Sequence, residues 1–165
     1  MRRKVYHLNW GLKGRIVPRE WTSAALYAVG WYAPTPNEEV EIIEATIEAA
    51  NTCGCDVYAC MMSGDHIHIL IGAPDRAIIE TIRLIKGRSS YMFNRSRATR
   101  TIRRKLQWQR HYHCKRVRTW TYFLNARDYI TSNRQHHKLP PLPQAPGNSH
   151  LIIAHPTNTD INRGL

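Results

Sequence analysis

An α+β fold, with one antiparallel sheet and helices on one of its faces, is predicted by three observations. Stretches of period-two alternation and stretches of three-and-four spacing follow one another as strand, helix, strand, strand, helix, strand, helix. Only Ser63-Gly64-Asp65 separates the two middle strands, so they form a hairpin. The length of 165 residues suits one domain with a real core and is short for two.

The elements follow in order. Residues 4–13 alternate loosely and carry Val5, Tyr6 and Trp10, as a first strand would. Residues 15–36 are mixed, and only a short helix around 22–29 is predicted there. Pro36-Asn37-Glu38-Glu39 offers an N-cap with acids in the first turn, and Val40, Ile43, Ile47 and Ala50 then repeat at three and four, with Gly54 as the stop. Residues 56–62 and 66–71 alternate on either side of the hairpin turn, and Gly72 and Pro74 end the second run. Ile78, Ile82, Ile85, Ser89 and Met92 lie on one stripe of a further helix. Residues 108–119 read as a strand and 120–133 as a last helix. After His137 comes Lys-Leu-Pro-Pro-Leu-Pro-Gln-Ala-Pro-Gly, without periodicity. The expected organisation is a domain over 1–137 and a Pro-rich, poorly packed tail over 138–165. With 22–29 as an insertion, the order is β-α-β-β-α-β plus a terminal helix, the ferredoxin-like split βαβ arrangement. Helices on one face leave the other free for a ligand.

Charge narrows the partners. Twenty-four Lys and Arg against twelve Asp and Glu give a formal net charge of +12, which favours a polyanion such as nucleic acid. A membrane is not expected, because no apolar run is long enough to span one and the basic residues do not line one amphipathic face. The N-terminus begins basic, but Asn9, Lys13 and Arg15 interrupt any signal-peptide core, so a cytoplasmic, nucleoid-associated protein is expected. Cys53, Cys55, Cys60 and Cys114 have no zinc-site spacing and read as reduced thiols.

The sharpest local feature is Asp65-His66-Ile67-His68. Side chains two apart on a strand point the same way, so His66 and His68 project together while Ile67, Ile69 and Ile71 face the core. Two imidazoles on a rigid strand are half of a metal site with open positions; the alternative is a pair of polar residues on a solvated edge. A second such pair, His111 and His113, lies among Arg110, Lys115, Arg116 and Arg118, whose charge opposes a divalent cation. It reads as facing DNA or a partner copy. On the last helix Tyr129 and Asn133 share a face, with His136 one turn further. Taken alone, that pattern reads better as a half-buried tyrosine whose hydroxyl finds a partner.

These segments resemble a known family. Met62-Ser-Gly-Asp-His-Ile-His-Ile-Leu-Ile is similar to the HUH strand of the IS200/IS605-like Y1 transposases, which typically runs Met-Pro-Asp-His-Val-His-Leu-Leu. Lys86-Gly-Arg-Ser-Ser, Trp108-Gln-Arg-His-Tyr and Tyr129-Ile-x-x-Asn133 resemble later motifs in the family's order, and together they cover about residues 4 to 137. The sister group of REP-associated tyrosine transposases is included, and Tyr-Ile-x-x-Asn is its usual form. Gly64 stands where the family usually has Pro, which is expected to change only the turn. Asn133 stands where IS200-type proteins have Gln.

The resemblance implies a single-strand DNA transposase. Mg²⁺ or Mn²⁺ would be held by His66 and His68 with a third ligand at Asn133, His136 or water. Tyr129 would attack the DNA to leave a 5′-phosphotyrosine and a free 3′-OH, and rejoining would need no ATP. Arg83, Lys86, Arg88, Arg95, Arg97, Arg100, Arg103, Arg104 and Lys105, with Lys115 and Arg116, are the candidate contacts to hairpin-forming element ends, interleaved with Tyr91, Trp108 and Tyr112. A homodimer exchanging the tyrosine helix is one expected state and a monomer the other. The competing functions are a non-catalytic nucleic-acid-binding module, another HUH endonuclease such as a replication initiator, and a metal-dependent nuclease without a covalent step.

Overall fold

The structure is a computed structural model that describes residues 3–13, 33–96 and 105–143. The short helix expected at 22–29 and the candidate DNA contacts Arg97, Arg100, Arg103 and Arg104 lie outside the described residues.

The elements are β1 (Arg3–Gly11), α1 (Pro36–Thr52), β2 (Asp56–Ser63), β3 (His66–Pro74), a 3-10 turn (Asp75–Ala77), α2 (Ile78–Arg95), β4 (His113–Val117) and α3 (Trp120–His136). The strands form one sheet in the order β2-β3-β1-β4, with every neighbouring pair antiparallel. This is the predicted α+β, split βαβ order.

The register of β3 sorts its side chains. Ile67, Ile69 and Ile71 pair in register with Trp10, Leu8 and Tyr6 of β1 and are fully buried. Fully burying such a side chain stabilises by about 1.5–3 kcal/mol. On this face lies α2, whose Lys86 sits 6.0 Å over the Trp10 ring, packed against α1. The opposite face carries His66, His68 and Leu70, and α3 covers it. Phe123, Ala126 and Ile130 form the buried stripe of α3 at three and four, and Phe123 meets Tyr58 of β2 edge-on at 5.4 Å. Two helices therefore pack on one face, and the terminal helix crosses the other.

Local details follow from the sequence. The cap of α1 is Thr35, in a capping box with Glu38. Gly54, at φ +73°, follows its C-terminus as expected. The β2–β3 ladder shifts register between Val57 and Ala59, and Gly72 leaves the space for Tyr58: a Cβ there would stand 2.4 Å from the Tyr58 hydroxyl. The strand expected over 108–119 is interrupted. An isolated bridge joins Leu12 to Trp108, and the β4 ladder starts only at His113. Between them, the Lys86 ammonium donates to the carbonyls of Gln109 (2.6 Å), Arg110 (3.1 Å) and His111 (3.5 Å), while the Gln109 N–H still donates to the Gly11 carbonyl at the end of β1. Among residues expected in the tail, Leu142 packs against the core, and the Pro140 carbonyl accepts from Arg134 Nε at 2.8 Å. Among the described residues, no helix is long and apolar enough to cross a membrane.

Candidate active site

The β3 pleat places His66 and His68 side by side on the α3 face, with ring centroids 5.1 Å apart. Both are almost fully buried, at 5% exposure. Each ring is anchored at Nδ1. Asp65 Oδ1 lies 2.7 Å from His66 Nδ1, and His7 Nε2 of β1 lies 3.1 Å from His68 Nδ1. A ligand would then meet each ring through Nε2, the usual arrangement of a metal-binding imidazole with an outer partner. Burial lowers the His7 pKa below its ordinary value, and the charge of Lys115 lowers it further.

From α3 come the other two candidates. The Tyr129 ring is 5.4 Å from that of His68 and 6.3 Å from that of His7, and it is 42% exposed, open to a large substrate. Asn133 continues the stripe of Phe123, Ala126 and Ile130, so it sits at a core position, fully buried. Among the described residues, neither its Oδ1 nor its Nδ2 has a hydrogen-bond partner. Ser63, opposite His66 in the β2–β3 register, is also buried with an unpartnered hydroxyl. Buried polar groups are ordinarily paired, and among the described residues the Trp10 Nε1 on the other face of the sheet is unpartnered as well. His136 stacks on Tyr129 at 5.6 Å, with Nε2 3.2 Å from the Ser132 hydroxyl. The His137 ring lies 4.8 Å from that of His66.

A buried ion pair fixes α3 against the hairpin. Arg134 bonds Glu39 of α1, and its Nη1 also donates to the Met62 carbonyl at 3.0 Å. Glu39 accepts from the Gly64 backbone N–H at 3.2 Å. Burial raises the Glu39 pKa, with the Arg134 guanidinium opposing that rise. Gly64 has φ +69°, a conformation proline cannot adopt. The glycine therefore does more than change the turn: its N–H ties the hairpin to the pair that seats the tyrosine helix.

Among the described residues, no three His, Cys, Asp or Glu side chains are grouped to hold a metal ion. The donors that could hold a metal here are the two imidazoles and, by its chemistry, the Asn133 carboxamide oxygen.

The cations expected to meet DNA are dispersed. Arg83, Arg88 and Arg95 are on the exposed side of α2, with Arg83 bidentate to Glu80 and Arg95 bonded to the Tyr91 hydroxyl at 3.3 Å. Lys86 is taken up by the carbonyls of 109–111. Lys105 is exposed, and Arg104 is outside the described residues. On β4, Lys115 pairs in register with His7 and shares the histidine face, whereas Arg116 pairs with Tyr6 and faces the other way. His113 lies across from Asn9 on the histidine face, exposed and apart from the His66–His68 pair.

Residues 35–133, more than half of the chain, match the model of the family described as "Transposase IS200 like". The chain belongs to the IS200-like transposase family. Among curated protein sequences none matches it. Several solved structures are similar, two of them as follows. One is described as a "REP associates tyrosine transposase bound to a REP hairpin", with 15% identity over 83% of this chain and 70% of that one at a TM-score of 0.53. The other is a putative transposase from Deinococcus radiodurans R1, with 18% identity over 81% of this chain and 92% of that one at a TM-score of 0.49. The first shares the fold of this IS200-like transposase.

Sequence reasoning had not singled out His7, Ser63, His137 or the Glu39–Arg134 pair. Of these, only Ser63 carried a local signal, since it flanks the hairpin turn opposite His66.

Proposed function

We propose that this IS200-like transposase cleaves and rejoins single-stranded DNA through a covalent bond to Tyr129. The observation that carries the reading is the exposed Tyr129 ring 5.4 Å from His68, one turn from a buried Asn133 whose amide has no partner among the described residues. His66, His68 and Asn133 would hold Mg²⁺ or Mn²⁺, which supplies Lewis-acid stabilisation of charge on the scissile phosphate. His66 is oriented for this by Asp65 and His68 by His7. The Tyr129 Oη–phosphorus bond forms as the phosphorus–O3′ bond breaks. The phenolic proton leaves and O3′ takes one up, giving a 5′-phosphotyrosine and a 3′-OH. Attack by the 3′-OH of another strand reverses the step and frees the phenol, conserving the phosphodiester bond energy.

Lys115, on the histidine face, is placed to meet backbone phosphates beside Tyr129. Arg83, Arg88 and Arg95 on α2, with Arg104, Lys105 and Arg116, are the proposed contacts to a hairpin stem. The hairpin bound by the similar REP-associated protein supports that choice of DNA. Tyr129 and the histidines meet within one chain, and a homodimer that exchanges the tyrosine helix would bring the same groups together between copies. A protein that acts on DNA in this way would work in the cytoplasm with the nucleoid.

The test is incubation with single-stranded hairpin DNA and Mn²⁺, followed by denaturing electrophoresis. A protein–DNA adduct is expected that EDTA and Tyr129→Phe each abolish. Cleavage surviving Tyr129→Phe refutes the covalent step. Binding without cleavage in any divalent metal favours a non-catalytic module.

A further inference from the structure

His66 and His68 are both held at Nδ1, but by chemically different partners. His66 has the carboxylate of its neighbour Asp65, whereas His68 has an imidazole from another strand, His7 of β1, with Nε2 at 3.1 Å. We propose that His7 is a positioning residue that fixes the Nδ1–H tautomer of His68 and so presents its Nε2 to the metal. This rests on the reading of His66 and His68 as metal ligands.

The chemistry follows from proton placement. An imidazole that binds through Nε2 carries its proton on Nδ1, and that proton needs an acceptor to fix the ring's tautomer and orientation. At 3.1 Å the acceptor is His7 Nε2, so His7 carries its own proton on Nδ1. A neutral acceptor sharpens His68 without adding charge. A second carboxylate here would strengthen the ligand further, but it would put another negative charge where a phosphodiester must approach. The two histidines are thus unequal: His66 is the more basic ligand, and His68 the one held by a neutral partner. β1 makes this possible because its register sets Asn9 opposite His68 and His7 one pleat along on the same face.

The test measures Mn²⁺ binding to the full chain without DNA, by the loss of the free-ion electron paramagnetic resonance signal. His7→Ala is expected to weaken binding about 10–100-fold, the usual effect of losing an outer-shell partner. His7→Gln, whose side-chain oxygen can accept the same proton, is expected to restore most of it. Melting curves in EDTA check that both variants fold. Pulsed measurements on bound Mn²⁺ should count the same two imidazole nitrogens in the wild type and in both variants. Wild-type affinity in His7→Ala overturns the proposal, as do equal losses in the Ala and Gln variants. A third coupled nitrogen in the wild type that disappears in His7→Ala overturns it too, by making His7 a ligand. If His66→Ala also leaves Mn²⁺ binding unchanged, the metal reading itself fails, and that result is distinct from failure at His7 alone.

Discussion

Asn133→Leu separates what this side chain does for the fold from what it does for the site. Asn133 occupies a core position on α3, with two buried polar atoms that no group among the described residues satisfies. Leaving a buried polar group unpaired costs about 1–3 kcal/mol each, and an apolar residue of the same shape removes that cost. Leucine has the same branching and adds apolar surface beside Phe123, Ala126 and Ile130. In EDTA the variant should therefore be more stable than the wild type by about 2 kcal/mol at the lower end, or about 4–8 °C in Tm for a chain of this size. Mn²⁺ should narrow that gap. At a concentration near 100 times Kd it adds about 2.7 kcal/mol to the wild type, and to the variant much less. Thermal melts of both proteins, with EDTA and with Mn²⁺, measure all four values. A variant less stable than the wild type in EDTA would show that the carboxamide serves the fold. An equal gain from Mn²⁺ in both proteins would remove Asn133 from the metal site.

Three other substitutions test the framework around the site. Gly64→Pro, the residue more usual in the family, should cost about 2–4 kcal/mol, because φ +69° is closed to proline and Glu39 loses an N–H donor; urea unfolding checks it, and a neutral result would mean that the turn tolerates either residue. Lys86→Met should cost about 1.5–3 kcal/mol by releasing the 109–111 carbonyls, and it should leave the salt dependence of DNA binding unchanged. Arg88→Ala should instead lower that slope by about 1 at unchanged stability. Asp75 accepts hydrogen bonds from Lys4 and Tyr6, which hold its carboxyl below the usual range. The stability it contributes is present above its unfolded pKa and lost as pH falls, so urea melts of the wild type and Asp75→Asn should differ at pH 7 and converge below about pH 4.

The fold was legible because each element declares its period. Alternation through Ile67, Ile69 and Ile71 requires a core on one side of β3 and puts the histidines on the other. Tyr129 came from a family pattern, yet the three-and-four spacing from Phe123 to Asn133 already marks Asn133 as a core position. What escaped were partnerships across long stretches of chain. His7 is 61 residues from His68, and Glu39 is 95 from Arg134, so nothing local links either pair. Glu39 reads as an ordinary first-turn acid until its helix is packed beside the hairpin. Lys86 misleads in the opposite direction: among so many cations it looks like a phosphate contact, but burial beside Trp10 and Tyr112 gives it to backbone carbonyls.

Cleavage polarity tests the role of Tyr129 most directly. Single-stranded hairpin DNA labelled at its 3′ end, and separately at its 5′ end, is cleaved with Mn²⁺, and the protein is recovered under denaturing conditions. A 5′-phosphotyrosine requires the 3′ label to stay with the protein, on a peptide containing Tyr129, while the 5′-labelled fragment leaves with a free 3′-OH. Retention of the 5′ label, or linkage at any residue other than Tyr129, would contradict the mechanism.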